Sequence, residues 1–135
     1  MTGRDLMELS EAESLRRLAG VALGRVVFTR HALPAVRPVN HLVLDGRIVI
    51  RSSPGTILSS EIAARETVVA YEVDDFDVHR RLGWSVVVIG VARLVEAPEE
   101  VARFKELLHP WVAGEREQVI DIRPEIVTGF ELVPI

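Results

Sequence analysis

The chain has 135 residues, a formal net charge of −4 and no cysteine. Its length fits a single domain over residues 1–135, and the lack of cysteine excludes disulfides, thiolate catalysis and cysteine-ligated metals. The acidic balance argues against a nucleic-acid partner, and no apolar run is long enough to span a bilayer or to form a signal peptide. We therefore expect a cytoplasmic protein with neither a nucleic-acid nor a membrane partner.

The first predicted element is a short helix over residues 9–19. Ser10 and Glu13 form the S-x-x-E pattern of a capping box, and an apolar stripe follows them. The sequence then becomes rich in β-branched residues, which favour strands. Strands are predicted over residues 25–29, 35–44 and 47–52. The Asp45-Gly46 pair predicts a hairpin turn between the last two of these strands.

The second half of the chain continues this alternation of short elements. A turn over residues 53–56 precedes a short helix over 57–65, and an amphipathic helix runs from Pro98 to about Leu108. Strands are predicted over residues 66–73, 84–95, 119–123 and 126–133, with the acidic run 74–77 as a closing turn. Six or seven short strands favour an antiparallel barrel over a parallel α/β sheet, and an irregular sandwich is the alternative.

Two segments near the hairpin, residues 37–41 and 51–56, form the first candidate binding site. The turn brings the second segment back beside the first, so Arg51 and Ser52 fall near Arg37. Two arginines, several hydroxyls and a glycine-containing turn fit a phosphate. They also fit a solvated arginine edge followed by an ordinary loop, and spacing alone favours this second interpretation.

The Trp84-Ser85 pair, at the head of the longest predicted strand, is the second candidate. The indole could cover a flat ring while Ser85 bonds to its polar atoms, but the sequence alone favours a core or dimer-interface tryptophan. The four histidines are scattered, which disfavours a zinc or iron site, so we predict no metal. P-loop, G-x-S-x-G and G-x-G-x-x-G motifs are absent, so hydrolase, NTPase and Rossmann functions have no support.

In this order, the segments resemble the pyridoxamine 5′-phosphate oxidase-like family of FMN-binding split barrels, and most closely its short actinobacterial and nitroimidazole-resistance-like members. The resemblance rests on GRV (24–26), PAVRPVNH (34–41), IVIRS (48–52), PGT (54–56), VAYEVD (69–74), GWSVVV (83–88), Gly90 and IVTG (126–129). It implies a mostly β fold, a six-stranded antiparallel split barrel with peripheral helices. It also implies a homodimer with FMN sites at the interface, where we expect Trp84, Val86 and Val88.

The resemblance also implies roles for individual residues. The strand along the flavin would contain Arg37, Pro38, Val39 and Asn40. The phosphate would lie against Arg51, Ser52, Ser53, Thr56 and Ile57. Trp84 and Ser85 would approach the flavin or complete the interface. Two positions depart from the family pattern: Ile57 replaces a lysine that often meets the phosphate, and His41 replaces the usual tyrosine.

The function implied is that of an FMN-dependent oxidoreductase that passes electrons from a reduced nicotinamide to a small-molecule substrate. The redox chemistry would belong to the flavin, and no general acid or base is predicted. Two alternatives stay open. One is a reductase that uses a deazaflavin coenzyme. The other is a non-catalytic flavin- or haem-binding module, in which His41 or His79 would be the axial ligand.

Overall fold

A computed structural model describes residues 3–53, 56–111 and 118–135. The strands are β1 (Arg4–Leu9), β2 (Leu23–Arg30), β3 (Leu33–Asn40), β4 (Leu42–Leu44), β5 (Arg47–Ser52), β6 (Thr67–Asp77), β7 (Leu82–Leu94) and β8 (Gln118–Pro134). The helices are α1 (Glu11–Ala19), α2 (Ile57–Ala64) and α3 (Pro98–Leu107). The strands form one antiparallel sheet in the order β3-β2-β6-β7-β8-β5-β4, and β1 pairs with β8. This is the predicted mostly β, split-barrel architecture, with eight strands in the described part of the chain instead of six.

The two edge strands of the sheet, β3 and β4, are consecutive in the chain and meet at His41. The first half of this run pairs with β2, where Leu23 lies opposite Asn40. The second half pairs with β5, where Leu42 lies opposite Val49. The single strand predicted over residues 35–44 is therefore two strands with a bend between them. Because the bend joins both edges, the sheet curls into a half-barrel.

The core fills the inside of this curled sheet. Its fully buried members come from almost every element, among them Leu18, Val26, Ile48, Ile50, Tyr71, Val73, Val86, Val88, Ile120 and Ile122. A smaller cluster lies on the outer side of β5 and β8, where Phe104 of α3 and Leu108, just beyond that helix, pack on Val49 and Val119. Among the described residues, no helix is long and apolar enough to cross a membrane.

The interface role predicted for Val86 and Val88 is wrong, because both side chains are fully buried in the core. Trp84 shares their face of β7 and packs partly against the same cluster. Side chains alternate along a strand, so a shift of one residue exchanges the two faces. The residues of β7 that point outward include Val87 and Ile89.

Three other predicted boundaries also change. The strand β1 was not predicted, because its charged sequence gives little β signal and it forms by pairing with β8. The strands predicted on either side of Pro124 are one strand, because a bulge opposite Ile89 and Gly90 takes in the proline. The acidic run 74–77 continues β6, and the turn falls on residues 78–81 instead.

The side chain of His41 holds the bend in place. Its Nε2 donates to the Leu18 carbonyl at 3.0 Å, and its Nδ1 lies 2.6 Å from the Tyr71 hydroxyl. That hydroxyl is also 3.1 Å from the carbonyl of Val39. Gly24 allows this approach, because a Cβ there would lie 2.5 Å from atoms of the Tyr71 side chain. The bend is thus tied to α1 and to β6 at once.

The buried imidazole makes stability depend on pH. Burial lowers the pKa of His41, so the unfolded chain takes up more protons than the folded one as the pH falls. Wild-type protein should lose stability below about pH 6.5, by at most about 1.4 kcal/mol for each pH unit. His41→Gln lacks this titration. The free energy of unfolding of wild type, measured in urea, should therefore exceed that of the variant by less as the pH falls. His79→Gln, at an exposed histidine, is the control; parallel profiles for wild type and His41→Gln would refute the assignment.

Candidate functional site

A groove of about 180 Å³ opens where β3, β5 and the start of α2 meet. Its lining residues are Arg37, Val39, Ile50, Arg51, Ser52, Thr56, Ile57 and Leu58. The hairpin pairs β5 with β4 and not with β3. The bend at His41 therefore carries β3 over to β5 and brings the two predicted segments together.

Three hydroxyls beside the groove, two of them from residues that line it, bond to one another. Ser59 Oγ donates to Ser52 Oγ at 2.9 Å, and Ser52 Oγ lies 3.1 Å from Thr56 Oγ1. Thr56 Oγ1 also caps α2 by accepting from the Ser59 N–H at 3.1 Å. These bonds fix the connection between β5 and α2. Ser59 was missed from the sequence. The available signal was Thr56 directly before the predicted helix, since threonine is a preferred N-cap residue.

The N-terminus of α2 faces the groove from one side. The N–H groups at a helix start carry partial positive charge and favour anions. Ile57 occupies the first helical position, is 40% exposed and lines the groove instead of the core. The turn predicted to hold a phosphate includes Pro54 and Gly55, which lie outside the described residues.

The two arginines of the groove have different surroundings. Arg37 is exposed, donates to the Val36 carbonyl at 2.9 Å and lies over the Phe28 ring, 5.9 Å from its centroid. Arg51 is half-buried and donates to the Leu108 carbonyl at 3.0 Å, just beyond α3. Arg37 is therefore the more accessible cation, while Arg51 also links the groove to the end of α3.

A second pocket, of about 150 Å³, adjoins the groove. It is lined by Leu23, Pro38, Val39, Asn40, Arg51, Pro110 and Trp111. Val39 and Arg51 line both hollows, so the two are neighbours along β3. The groove is the cationic part of the pair, and the second pocket presents mainly apolar side chains.

The buried side chain of Asn40 bonds to the segment after α3. Its Nδ2 donates to the His109 carbonyl at 2.9 Å, and its Oδ1 accepts from the Trp111 N–H at 3.1 Å. Asn40 was predicted to lie along a flavin. Its side-chain amide instead holds one wall of the second pocket, and no sequence pattern indicates these partners.

The structure does not bring Trp84 and Ser85 to the groove within one chain. The groove lies near the end of β7, where Leu94 pairs with Ile120 and Ile120 pairs with Ile50. Trp84 is at the opposite end of that strand, with the Arg17 guanidinium 6.0 Å from its ring centroid. Ser85, one position on, belongs to the outer face of the sheet.

One further observation bears on the predicted haem-binding alternative, and another concerns a separate hollow. Both ring nitrogens of His41 are engaged inside the protein, so the residue has none available as an axial haem ligand. A separate hollow, of about 410 Å³ between α2, β7 and α3, is lined by charges of both signs. Its buried Asp121 pairs with Arg47 at 2.8 Å and with Arg93 at 3.3 Å, so this carboxylate is already compensated.

Comparison with known proteins agrees with this architecture. The sequence profile of the family described as "Pyridoxamine 5'-phosphate oxidase" matches residues 10–131. Protein Rv0080 of Mycobacterium tuberculosis is 53% identical over 135 residues, which cover 98% of this chain and 89% of the relative.

Two solved structures cover nearly the whole chain. A Corynebacterium glutamicum protein, named as a candidate pyridoxamine 5′-phosphate oxidase, superposes with a TM-score of 0.79 at 33% identity, covering 97% of this chain and 98% of its own. An FAD binding protein from Mycobacterium smegmatis has a TM-score of 0.75 at 32% identity, with 98% of each chain covered. The chain therefore belongs to the pyridoxamine 5′-phosphate oxidase family.

Proposed function

We propose that the protein binds FMN as a homodimer and passes electrons from a reduced nicotinamide to a small-molecule acceptor. The observation that carries this proposal is the continuity of the two hollows along β3. A cationic groove at a helix N-terminus adjoins a mainly apolar pocket, and the two share Val39 and Arg51. FMN has the matching order of groups, because a charged phosphate lies at one end of a short chain and a flat, mainly apolar ring at the other.

The phosphate end fits the groove. Arg37 and Arg51 supply two cations, and the first N–H groups of α2 add partial positive charge. The Thr56 hydroxyl caps the helix and lies at the groove surface. The Ser52 and Ser59 hydroxyls are buried and bond to each other, so in this proposal they support the groove without contacting the ligand.

The ring end fits the second pocket, which Pro38 and Val39 line from β3. A cavity near 150 Å³ with apolar walls is large enough for one six-membered aromatic ring. The remaining rings of an isoalloxazine would extend beyond it. Bound there, the flavin would supply the hydride and electron chemistry, while the protein orients the ring and limits access to it.

The choice of FMN over a deazaflavin coenzyme rests on the number of cationic side chains that line the two hollows. The Mycobacterium smegmatis relative is named for FAD, which carries the same flavin mononucleotide unit. The longer acidic tail of a deazaflavin coenzyme would need a cationic path beyond the phosphate. In the described linings of the two hollows, the cations are Arg37 and Arg51, which is sufficient for a single phosphate group.

The outer face of the sheet supports a dimer. Val36, Val27, Ala70, Ile89 and Ile126 lie in register across five neighbouring strands. They form one apolar row on which Ile126 is 57% exposed and Val36 is 51% exposed. An exposed apolar row of this length marks an interaction surface. We assign it to a second copy, because a two-fold axis lets one patch cover itself.

Two features of this outer face suit such a contact. A shallow hollow of about 220 Å³ lies in its centre beside Ala70, where a side chain of the second copy would fit. At its edge, Arg25 pairs with Glu72 at 3.1 Å and with Asp74 at 3.4 Å. Burial and the adjacent Asp74 raise the pKa of Glu72 to about 7, which reduces the negative charge that a partner would cover.

The proposed function is tested by titrating the purified full-length protein with FMN and with riboflavin. Visible flavin bands and tighter binding of FMN are expected, and NADH or NADPH should bleach the bound flavin in the absence of oxygen. Protein that binds neither flavin would overturn the proposal. Flavin that binds but is not reduced by either nicotinamide would refute the oxidoreductase part alone.

Arg37→Ala should weaken FMN by about threefold to tenfold, because a charge-assisted contact is lost at a solvent-exposed position. Riboflavin, which has no phosphate, should bind the variant as it binds wild type. Arg103→Ala removes an exposed arginine from α3 and controls for net charge. Equal losses for FMN and riboflavin would show that Arg37 does not contact the phosphate.

Ile57→Lys should tighten FMN by about fivefold, because it places a cation at the helix start beside the phosphate. Ile57 is 40% exposed, so water and salt screen the gain to about 1 kcal/mol, and it should shrink as salt rises. Ile57→Gln, which is polar but uncharged, is the control. The same affinity in the lysine and glutamine variants would place the phosphate elsewhere.

Ile89→Glu should convert the dimer to a monomer, because it places a carboxylate in the middle of the apolar row. Light scattering at micromolar concentration measures the change. Leu107→Glu, at an exposed leucine on α3, should leave the dimer intact. An Ile89→Glu protein that remains dimeric would mean that the second copy docks on another surface.

A further inference from the structure

Trp111 is the feature of the second pocket that the proposed function does not explain. Its side chain is 64% exposed although it lines an apolar hollow. A large aromatic side chain held at a pocket mouth is typical of a ligand contact.

Side chains from two strands that do not pair with each other, β3 and β5, hold the backbone that carries this indole. Asn40 accepts from the Trp111 N–H and donates to the His109 carbonyl. Arg51 donates to the Leu108 carbonyl, and the Leu108 side chain is buried under α3. The segment over residues 108–111 is thus attached at three backbone positions while the indole remains exposed.

Pro110 adds stiffness between these attachment points. Its ring fixes the backbone φ angle, and it has no N–H that would need a partner. A contact surface that is already ordered loses less entropy when a ligand binds. The segment is therefore preorganised to present an indole to the pocket that Pro38 and Val39 also line.

We propose that Trp111 stacks on the flavin ring and that Asn40 is the positioning residue that holds it there. This rests on the proposed function, because it assigns the ring of the same FMN to the second pocket. The ring would lie between β3 on one side and the indole on the other. Arg51 would then connect the two parts of the site, facing the phosphate and holding the segment that carries the tryptophan.

The test uses the fluorescence of bound FMN, because an indole in contact with an excited flavin quenches its emission by electron transfer. Wild-type protein should quench FMN strongly, and Trp111→Phe should restore emission several-fold while keeping most of the affinity. Trp84→Phe is the matched control, since Trp84 faces the barrel interior under Arg17. Quenching that persists in Trp111→Phe would overturn the proposal.

Affinity provides a second readout. Trp111→Ala should weaken FMN and riboflavin by the same factor, about tenfold, since stacking involves the ring and not the phosphate. Asn40→Ala should weaken both ligands similarly but add little in the Trp111→Ala background, because the two residues act as one unit. Additive losses in the double variant would refute the positioning role of Asn40.

Two further outcomes separate this inference from the proposed function. Wild-type protein that binds FMN, with unchanged affinity in Trp111→Ala, would refute the stacking while leaving the FMN site intact. Wild-type protein that binds no flavin would overturn both. A Trp111→Ala protein that becomes monomeric in light scattering would assign the indole to the dimer contact, and would also overturn the stacking.

Discussion

The bend between β3 and β4 is the constraint on which the rest of the structure depends. Both edges of the sheet belong to one stretch of chain, so the direction of the chain at His41 decides whether the sheet closes. The imidazole bonds to α1 and to β6, and the preceding Asn40 bonds to the segment after α3. Two adjacent polar side chains thus tie the bend to α1, to β6 and to the segment after α3. Leaving such buried polar groups unpaired would be costly.

The candidate site is a consequence of that bend. A β3 that continued straight into β4 would not carry Arg37 and Val39 back over β5, where the groove lies. The groove needs the connection between β5 and α2 as well, which the Ser52, Thr56 and Ser59 hydroxyls fix. The resemblance placed Ser52 and Asn40 at a ligand. In the structure their side chains bond within the protein, so their contribution to a site would be positional.

Local chemistry in the sequence predicted the local features well. Asp45 and Gly46 both adopt positive φ angles, as the predicted hairpin turn requires. Ser10 caps α1 by accepting from the Glu13 N–H. What could not be predicted depends on distant partners. The bend at His41 requires Leu18 and Tyr71, and the pairing of Asn40 requires residues some seventy positions away in sequence.

The error at β7 has a different origin. The run from Trp84 is apolar on both faces, so its composition does not indicate which residues face the core. Only the register with β6 and β8 resolves this, and it turns Val86 and Val88 inward. Family resemblance does not specify the phase of β7, because a shift of one residue leaves the same sequence on the opposite face.

The same alternation links the proposed dimer to the proposed FMN site. On β2, Val26 faces the core and Val27 the outer row; on β3, Arg37 lines the groove and Val36 lies in that row. β3 is an edge strand held on one side by β2, so it has less support than the strands in the middle of the sheet. A second copy packed on Val36 would restrain β3 from outside. It would thereby hold Arg37 at the phosphate, so dimerisation and FMN binding would each favour the other.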